Sequence, residues 1–314
     1  VRPKGMYLQR TIKSEIRCHS VGLHSGRKVN MTLKPAEADE GIVFVRKDLP
    51  GDNRVKADIR NVSDTTLATT LGLNGARVAT VEHLLSAFRG VGVDNATVEI
   101  DSFEVPIMDG SALPFVNLMK ACGTKVQNRG RRFLVIKKEV AVSDGDAEAR
   151  FVPSPDFRIT YRIGYDHPLI SDQTYHMVFS HVAYEEDICA ARTFGFLRDV
   201  EYLQAKGLAL GGSLNNAVVL DDEKIINKEG LRFPGEFVKH KVLDAIGDLF
   251  LLGMPIVGHF IGNKSGHRLN NALLRKLIES RDAWKIISHF ERDNRINDVE
   301  DGSFHNIPPI SNLA

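Results

Sequence analysis

The chain has 314 residues, 43% apolar and 26% charged, with 41 Lys and Arg against 40 Asp and Glu for a formal net charge of +1. This profile excludes disorder and a coiled coil, and it leaves no overall field to gather nucleic acid, so any anion must be held by a local patch. The three cysteines, Cys18, Cys122 and Cys189, are far apart and never form a C-x-x-C pair, which argues against a disulfide framework or a thiolate metal site and for a reducing, cytoplasmic setting.

At roughly 100–200 residues per domain the length suits two domains. Residues 1–5 lack the apolar core of a secretory signal, and Met6 reads as the natural start, with the five residues before it extraneous. From Tyr7 to about Arg60, short β-rich runs broken by Gly, Pro and Asp predict hairpins. From Thr80 the apolar spacing becomes helical, a strand follows at 95–101, and 111–123 predicts a second helix with Ser111 as N-cap, Pro114 in the first turn and Gly123 at the end. The polar segment 127–132 marks a domain boundary near residue 128, giving domains at 1–128 and 129–291.

Beyond it, strand signals resume. Arg198–Lys206 predicts a short amphipathic helix stopped by Gly207, with an apolar, Gly-rich strand after it at 208–214. A long helix is expected over 235–253, a strand over 255–262 and a further helix from Arg268 to Trp284. The apolar stretch 249–262 is broken by Gly253, Pro255, Gly258 and His259 and is shorter than the ~20 residues that span a bilayer. Residues 292–314 sustain neither period and are expected to form a loosely packed tail. His83 and His240 each sit on the first helix of a helix–strand–helix unit, which points to a duplicated α+β fold in which both halves contribute to one site.

Four groups of residues could carry chemistry. His240 and Asp244, four apart on a helix, project about 40° apart and can chelate one divalent metal, although such a pair is more often a surface hydrogen bond; Asp248 extends the same stripe. Glu82 and His83 are adjacent and point about 100° apart, so the imidazole can bind a metal while the carboxylate handles a water's proton. His267, in a loop after a strand, can return to the same face as a general acid. Around 190–214, a small helix beside Gly-rich apolar chain could line a hydrocarbon passage or simply be core.

These residues fall within VGLHSG (21–26), TVEHLLSA (80–87), VPIMDGSALPFV (105–116), ARTFGF (191–196), LALGGS (208–213), FVKHKVLDAIGDL (237–249) and KSGH (264–267). In that order, from about Gln9 to Trp284, the chain resembles the UDP-3-O-acyl-N-acetylglucosamine deacetylase family, zinc amidases that commit a sugar nucleotide to lipid A synthesis in Gram-negative bacteria. The resemblance implies two domains of similar topology, each a β-sheet layered with helices, with the active site between them and an acyl-passage insert at about 190–214. It implies Zn2+ on His83, His240 and Asp244, with Fe2+ as an alternative occupant in the cell. Glu82 matches the general base, His267 the general acid, Asp248 the carboxylate that orients it, and Thr193 the hydroxyl that helps hold the oxyanion. Lys241 and Lys264 match contacts to polar and phosphate groups of the substrate, and Tyr165 and Phe194 further substrate contacts, Tyr165 near an aromatic that stacks on the uracil. Leu197, Val200, Ala209 and Leu214 match the lining of the acyl passage. Ala68 departs from the Ser or Cys common in relatives and receives no role.

The expected reaction is hydrolysis of the 2-acetamido group of UDP-3-O-(3-hydroxyacyl)-N-acetylglucosamine by a cytoplasmic monomer that touches the membrane surface at most transiently. Lys239, Lys241, Lys264 and Arg268 are close enough in sequence to rim a diphosphate site. Two alternatives stay open. One is a zinc amidase acting on another N-acetylated amino sugar. The other is a nucleic-acid-binding module, because the two-layer fold is shared with ribosomal domains and basic residues cluster around KSGHR; charge balance and the chelating set speak against it.

Overall fold

The structure, a computed structural model, describes residues 7–290 and the strand at 295–299. The expected α+β character holds: sheets and helices are interleaved, with six α-helices among the described residues. These are α1 (Glu82–Val91), α2 (Leu113–Cys122), α3 (His181–Asp187), α4 (Leu197–Ala205), α5 (Glu236–Leu249) and α6 (His267–Glu279).

A five-stranded sheet in the first half runs in the order 16–21, 28–35, 96–100, 42–46 and 54–56. The first two strands form the expected hairpin, and the pairing of 42–46 with 96–100 is parallel. The second half builds an eight-stranded sheet around Ile256–Asn263, which pairs antiparallel with 147–152 and parallel with 157–163 and 132–136. The repeated unit is visible in it: α1, strand 96–100 and α2 in one half correspond in order to α5, strand 256–263 and α6 in the other. In the second half, however, α3 and α4 come before α5.

The two halves meet through α1 and α5. Both helices are buried along almost their whole length, α1 from Glu82 to Phe88 and α5 everywhere except Lys239 and Lys241. Apolar residues from both halves form one continuous core. The close approach depends on Gly247, because a Cβ there would lie 2.0 Å from the carbonyl oxygen of Glu82. A glycine in mid-helix costs stability in the helix itself. Here it lets α5 press against the first turn of α1 and brings its upstream residues level with His83.

Several local expectations are corrected. Thr124–Gly130 is a strand paired with Leu8–Ile12, so the polar segment placed at the boundary belongs to a two-stranded ribbon. Its polarity reflects an element with most side chains in solvent, where no apolar alternation is needed. Residues 208–214 are turns and not a strand: Ala209 has φ 52°, and the amides of Leu210 and Gly211 donate to the carbonyls of His24 and Leu23. The last helix stops at Glu279. Ser280 leaves helical geometry and Trp284 begins a strand, its indole N–H donating to Leu277 O at 2.8 Å. Ser111 lies one residue before the cap position of α2, although its hydroxyl does accept from the Leu113 amide at 3.2 Å. Within the stretch expected to be a tail, Arg295–Val299 pairs as a strand with Trp284–Phe290; the remainder of 292–314 lies outside the described residues. No described helix is long and apolar enough to cross a membrane.

Candidate metal centre and active site

Three side chains converge where α1 meets α5. The ligand atoms of His83, His240 and Asp244 all lie within 4.8 Å of one another, and all three residues are buried. Asp244 Oδ1 is 3.4 Å from His83 Nε2 and 3.3 Å from His240 Nε2, and the two imidazoles stand edge to face with centroids 5.0 Å apart. The i, i+4 spacing on α5 therefore places one carboxylate and one imidazole on the face that His83 meets from α1. Asp244 Oδ1 is buried and accepts no hydrogen bond. A buried carboxylate oxygen without a donor is costly, and a divalent cation is the group that two imidazoles and a carboxylate would share. The residues present thus fit a metal ion.

The protonation states suit that role. His240 Nδ1 faces the carbonyl oxygen of Ala191 at 3.1 Å. A carbonyl accepts only, so Nδ1 carries the proton and the Nε2 lone pair is turned into the cluster. Burial, with His83 and Lys241 acting in the same direction, lowers the His240 pKa to about 3, so its ring is neutral. Burial alone would raise the Asp244 carboxyl, but His240 and Lys241 outweigh it and hold the group well below the usual range. Lys241 Nζ lies 2.6 Å from Asp244 Oδ2, leaving Oδ1 free for the cluster.

A second constellation faces the first. Glu82 is the first residue of α1, where the helix dipole favours negative charge. Its Oε2 accepts from the Thr69 amide at 3.1 Å, and Oε1 lies 3.6 Å from His267 Nε2. Burial pushes the Glu82 pKa up against the pull of His267 and His83. His267 is the first residue of α6 and not a loop residue, and Nδ1 points at Asp248, 2.9 Å from Oδ2. Burial works against its charge, but Asp248 and Glu82 outweigh that and raise its pKa to about 9. His267 is therefore an imidazolium at neutral pH, beside a carboxylate whose proton affinity is raised. That combination is what an acid and a base acting on one bond require.

Two of the residues that hold this arrangement were not anticipated. Thr69 donates its hydroxyl to Asp248 Oδ1 at 2.6 Å and its amide to Glu82, so it touches both arms of the acid–base pair. Asn270, one turn after His267, donates to Asp248 Oδ2 at 2.9 Å and accepts from the Ser265 hydroxyl at 3.0 Å. The i, i+3 spacing of His267 and Asn270 is the signal that could have found Asn270. Thr69 offers none, because its partner Asp248 is 179 residues away.

The centre opens into a cavity of about 490 Å3. Of the residues expected at the substrate, Tyr165, Thr193, Phe194, Leu197, Val200, Ala209, Leu214 and Lys241 all line it, together with Ala68 and His24. Strand 194–196, α4 and strand 218–220 form one parallel β-α-β unit that supplies much of the apolar wall. Tyr165 stands edge-on to Phe194, with centroids 5.8 Å apart. Lys264 is not in the lining; its Nζ lies 2.5 Å from Asp146. Lys239 pairs with Asp187 and Arg268 with Asp144, so of the four cations expected to rim a diphosphate only Lys241 reaches the cavity.

Residues 9–279 match the family model described as UDP-3-O-acyl N-acetylglycosamine deacetylase. The chain belongs to that family. A protein of Syntrophus aciditrophicus (strain SB), named UDP-3-O-acyl-N-acetylglucosamine deacetylase, is 60% identical over 283 residues, covering 90% of each chain. Proteins of the same name from Hahella chejuensis and Marinobacter nauticus are 52% and 53% identical, covering 90% of this chain and 94% of theirs. The matched stretch of this chain includes Glu82, His83, His240, Asp244 and His267.

Proposed function

We propose that this chain hydrolyses the 2-acetamido group of UDP-3-O-(3-hydroxyacyl)-N-acetylglucosamine to the free amine and acetate, the committed step of lipid A biosynthesis. The observation that carries the reading is Asp244 Oδ1, buried without a donor between two imidazole nitrogens and facing the Glu82–His267 pair. His83, His240 and Asp244 would hold the ion, Zn2+ with Fe2+ as an alternative. Such an ion would supply Lewis acidity at an open position, of the kind that lowers the pKa of water from 15.7 toward ~7.

The chain's own groups do the rest. Glu82 takes the proton from the attacking water, and burial raises its affinity for it. The Thr69 amide keeps that carboxylate facing inward. Charge that develops on the carbonyl oxygen is met by the Thr193 hydroxyl, a donor of a kind worth about 2.7–4 kcal/mol where one has been removed elsewhere. The imidazolium of His267, held by Asp248, gives its proton to the departing nitrogen, which leaves poorly as an anion. Lys241, which gives one of its three ammonium donors to Asp244 and lines the cavity, would meet a phosphate oxygen, and Tyr165, also in the lining, would stack on the base. The apolar wall of Leu197, Val200, Ala209 and Leu214 takes the acyl chain. Nothing favours nucleic acid at KSGHR, where Lys264 and Arg268 are each paired with an aspartate.

The decisive experiment compares deacetylation of UDP-3-O-acyl-N-acetylglucosamine with that of unacylated UDP-N-acetylglucosamine, with and without chelator. Fast, chelator-sensitive turnover of the acylated substrate alone is expected. Equal rates on the two would sink the lipid assignment and leave a zinc amidase acting on another amino sugar.

A further inference from the structure

Glu236 is the first residue of α5 and is fully buried, yet it belongs neither to the acid–base pair nor to the metal cluster. Its carboxylate takes four donors. Oε1 accepts from the Arg192 amide at 3.1 Å and from Arg192 Nε at 2.8 Å, and Oε2 accepts from Arg192 Nη2 at 3.1 Å and from the Arg232 amide at 2.7 Å. Arg192 is buried as well, and its guanidinium also donates to the Gly230 carbonyl at 2.8 Å and to Glu229 at 3.1 Å. Arg232 continues the clasp, donating to the Ala190 carbonyl and, in the first half, to Asp109, each at 2.9 Å. A buried ion pair contributes little net stability, because desolvation offsets most of the attraction, so stability alone does not account for this one.

What the pair grips is one peptide group. Glu236 and His240 are four residues apart and share a face of α5. Glu236 takes the N–H of the Ala191–Arg192 peptide, and His240 Nδ1 meets the C=O of the same peptide at 3.1 Å. The peptide is trans, so its N–H and C=O point in opposite directions, and it is held between two successive turns of the helix. Fixing the N–H therefore fixes where the carbonyl points. The carbonyl in turn decides which nitrogen of His240 keeps the proton, and so leaves the Nε2 lone pair facing the cluster. The next residue is Thr193, whose amide donates to the Gly110 carbonyl at 2.8 Å, so the same anchored segment reaches the oxyanion hydroxyl.

We propose that Glu236 is a positioning residue for the metal centre: by gripping the Ala191–Arg192 peptide it holds the carbonyl that sets the tautomer and ring plane of His240. Arg192 supplies the countercharge that a buried carboxylate needs. An ionised carboxylate only accepts, which matches the four donors around it; an amide in its place would turn an NH2 group toward one of those donors and push the peptide aside. Groups that orient a metal-bound imidazole in this way typically carry about ten- to a hundredfold in metal affinity or activity. The inference rests on the reading of His83, His240 and Asp244 as the metal site and deepens it.

The test measures the zinc dissociation constant of the folded chain by competition with a chelator, at a temperature well below Tm. The visible spectrum of the Co2+-loaded protein reports ligand geometry alongside it. The wild type should bind about one zinc per chain. Glu236→Gln, nearly equal in shape, should bind it about tenfold or more weakly and shift the Co2+ bands. A merely structural role predicts a lower Tm with zinc affinity and spectrum as in the wild type. Affinity within about threefold of the wild type in the folded glutamine variant, or a weaker site with unchanged Co2+ bands, overturns the proposal. Should that variant fail to fold, Glu236→Asp keeps the charge opposite Arg192 but draws the carboxylate back by one methylene, and the same two measurements decide. Glu229→Gln removes only the exposed partner of Arg192 and should leave both readouts unchanged; an equal loss there would mean that nearby charge, not the grip on the peptide, sets the affinity, and overturns the proposal too. A wild-type chain that binds no zinc overturns the metal reading and this one together.

Discussion

The hydroxyl of Thr69 lies 2.6 Å from Asp248 Oδ1, and the amide of the same residue donates to Glu82. One small residue of the first half thus fixes both the proton acceptor and the carboxylate that orients the proton donor. Thr69→Val keeps the shape and removes the hydroxyl, leaving the buried Asp248 one donor short. The expected cost is about 1–3 kcal/mol of stability, read as a lower Tm, together with a fall in kcat of about tenfold. Thr69→Ser should recover most of both. A valine variant with wild-type Tm and kcat would show that the hydroxyl holds nothing.

His267 sets the basic limb of the pH profile. In the metal-free chain its pKa is raised to about 9, so it is charged at neutral pH and loses its proton as pH climbs through that value. Because the folded state holds this proton more tightly than the unfolded chain, where the pKa is near 6.5, the stabilisation is complete below about pH 6.5 and is lost as pH rises through 9. A cation bound nearby disfavours the imidazolium, so the basic limb of the loaded enzyme should fall below 9. Asp248→Asn removes the strongest support for the charge and should move that limb to lower pH. His267→Ala should cost about 10²–10⁴ in kcat, the usual weight of an acid–base group. A loss under tenfold, or a basic limb unmoved in the asparagine variant, would count against the assigned role.

The cluster of His83, His240 and Asp244 predicts about one ion per chain. Chelation should abolish activity, and Zn2+ should restore it. Because an ion that binds only the folded chain stabilises it by RT ln(1 + [L]/Kd), a hundredfold excess over Kd adds about 2.7 kcal/mol. Tm should therefore rise with added metal in the wild type and stay flat in Asp244→Ala. Stoichiometric metal in purified His240→Ala would place the site elsewhere.

Much of this site was legible in the chain because its main elements are helices, whose 3.6-residue period writes a face into the sequence. His240 and Asp244 read as one face of α5, and Glu82 and His83 as a diverging pair on α1, and the structure brings these together. What could not be read is pairing at long range. Asp146 beside Lys264 and Asp144 beside Arg268 each involve partners more than a hundred residues apart, so cations that look free to rim a diphosphate are already paired. The loop at 208–214 has the composition of an apolar strand, but the amides of Leu210 and Gly211 are taken by the backbone of the opposite half and those of Leu208 and Gly212 by local turns.

The acyl passage makes chain length the last lever. Each CH2 moved from water to an apolar wall contributes about 0.8 kcal/mol, close to fourfold in binding. A chain must therefore lose affinity stepwise for each carbon the wall no longer accommodates. Ala209 is buried and Leu197 half exposed, both on the cavity wall. Ala209 already carries φ 52°, so leucine, which is not branched at Cβ, adds bulk there with little further backbone strain. Ala209→Leu and Leu197→Trp should each shift the preferred chain downward by two or more carbons, on the order of tenfold in kcat/KM for the longest substrates. Short chains should change little, since their carbons end before the obstruction. Profiles measured across a series of acyl lengths decide the matter: a uniform loss at every length would indicate a damaged centre, and an unchanged profile would mean that the chain leaves the cavity along another wall.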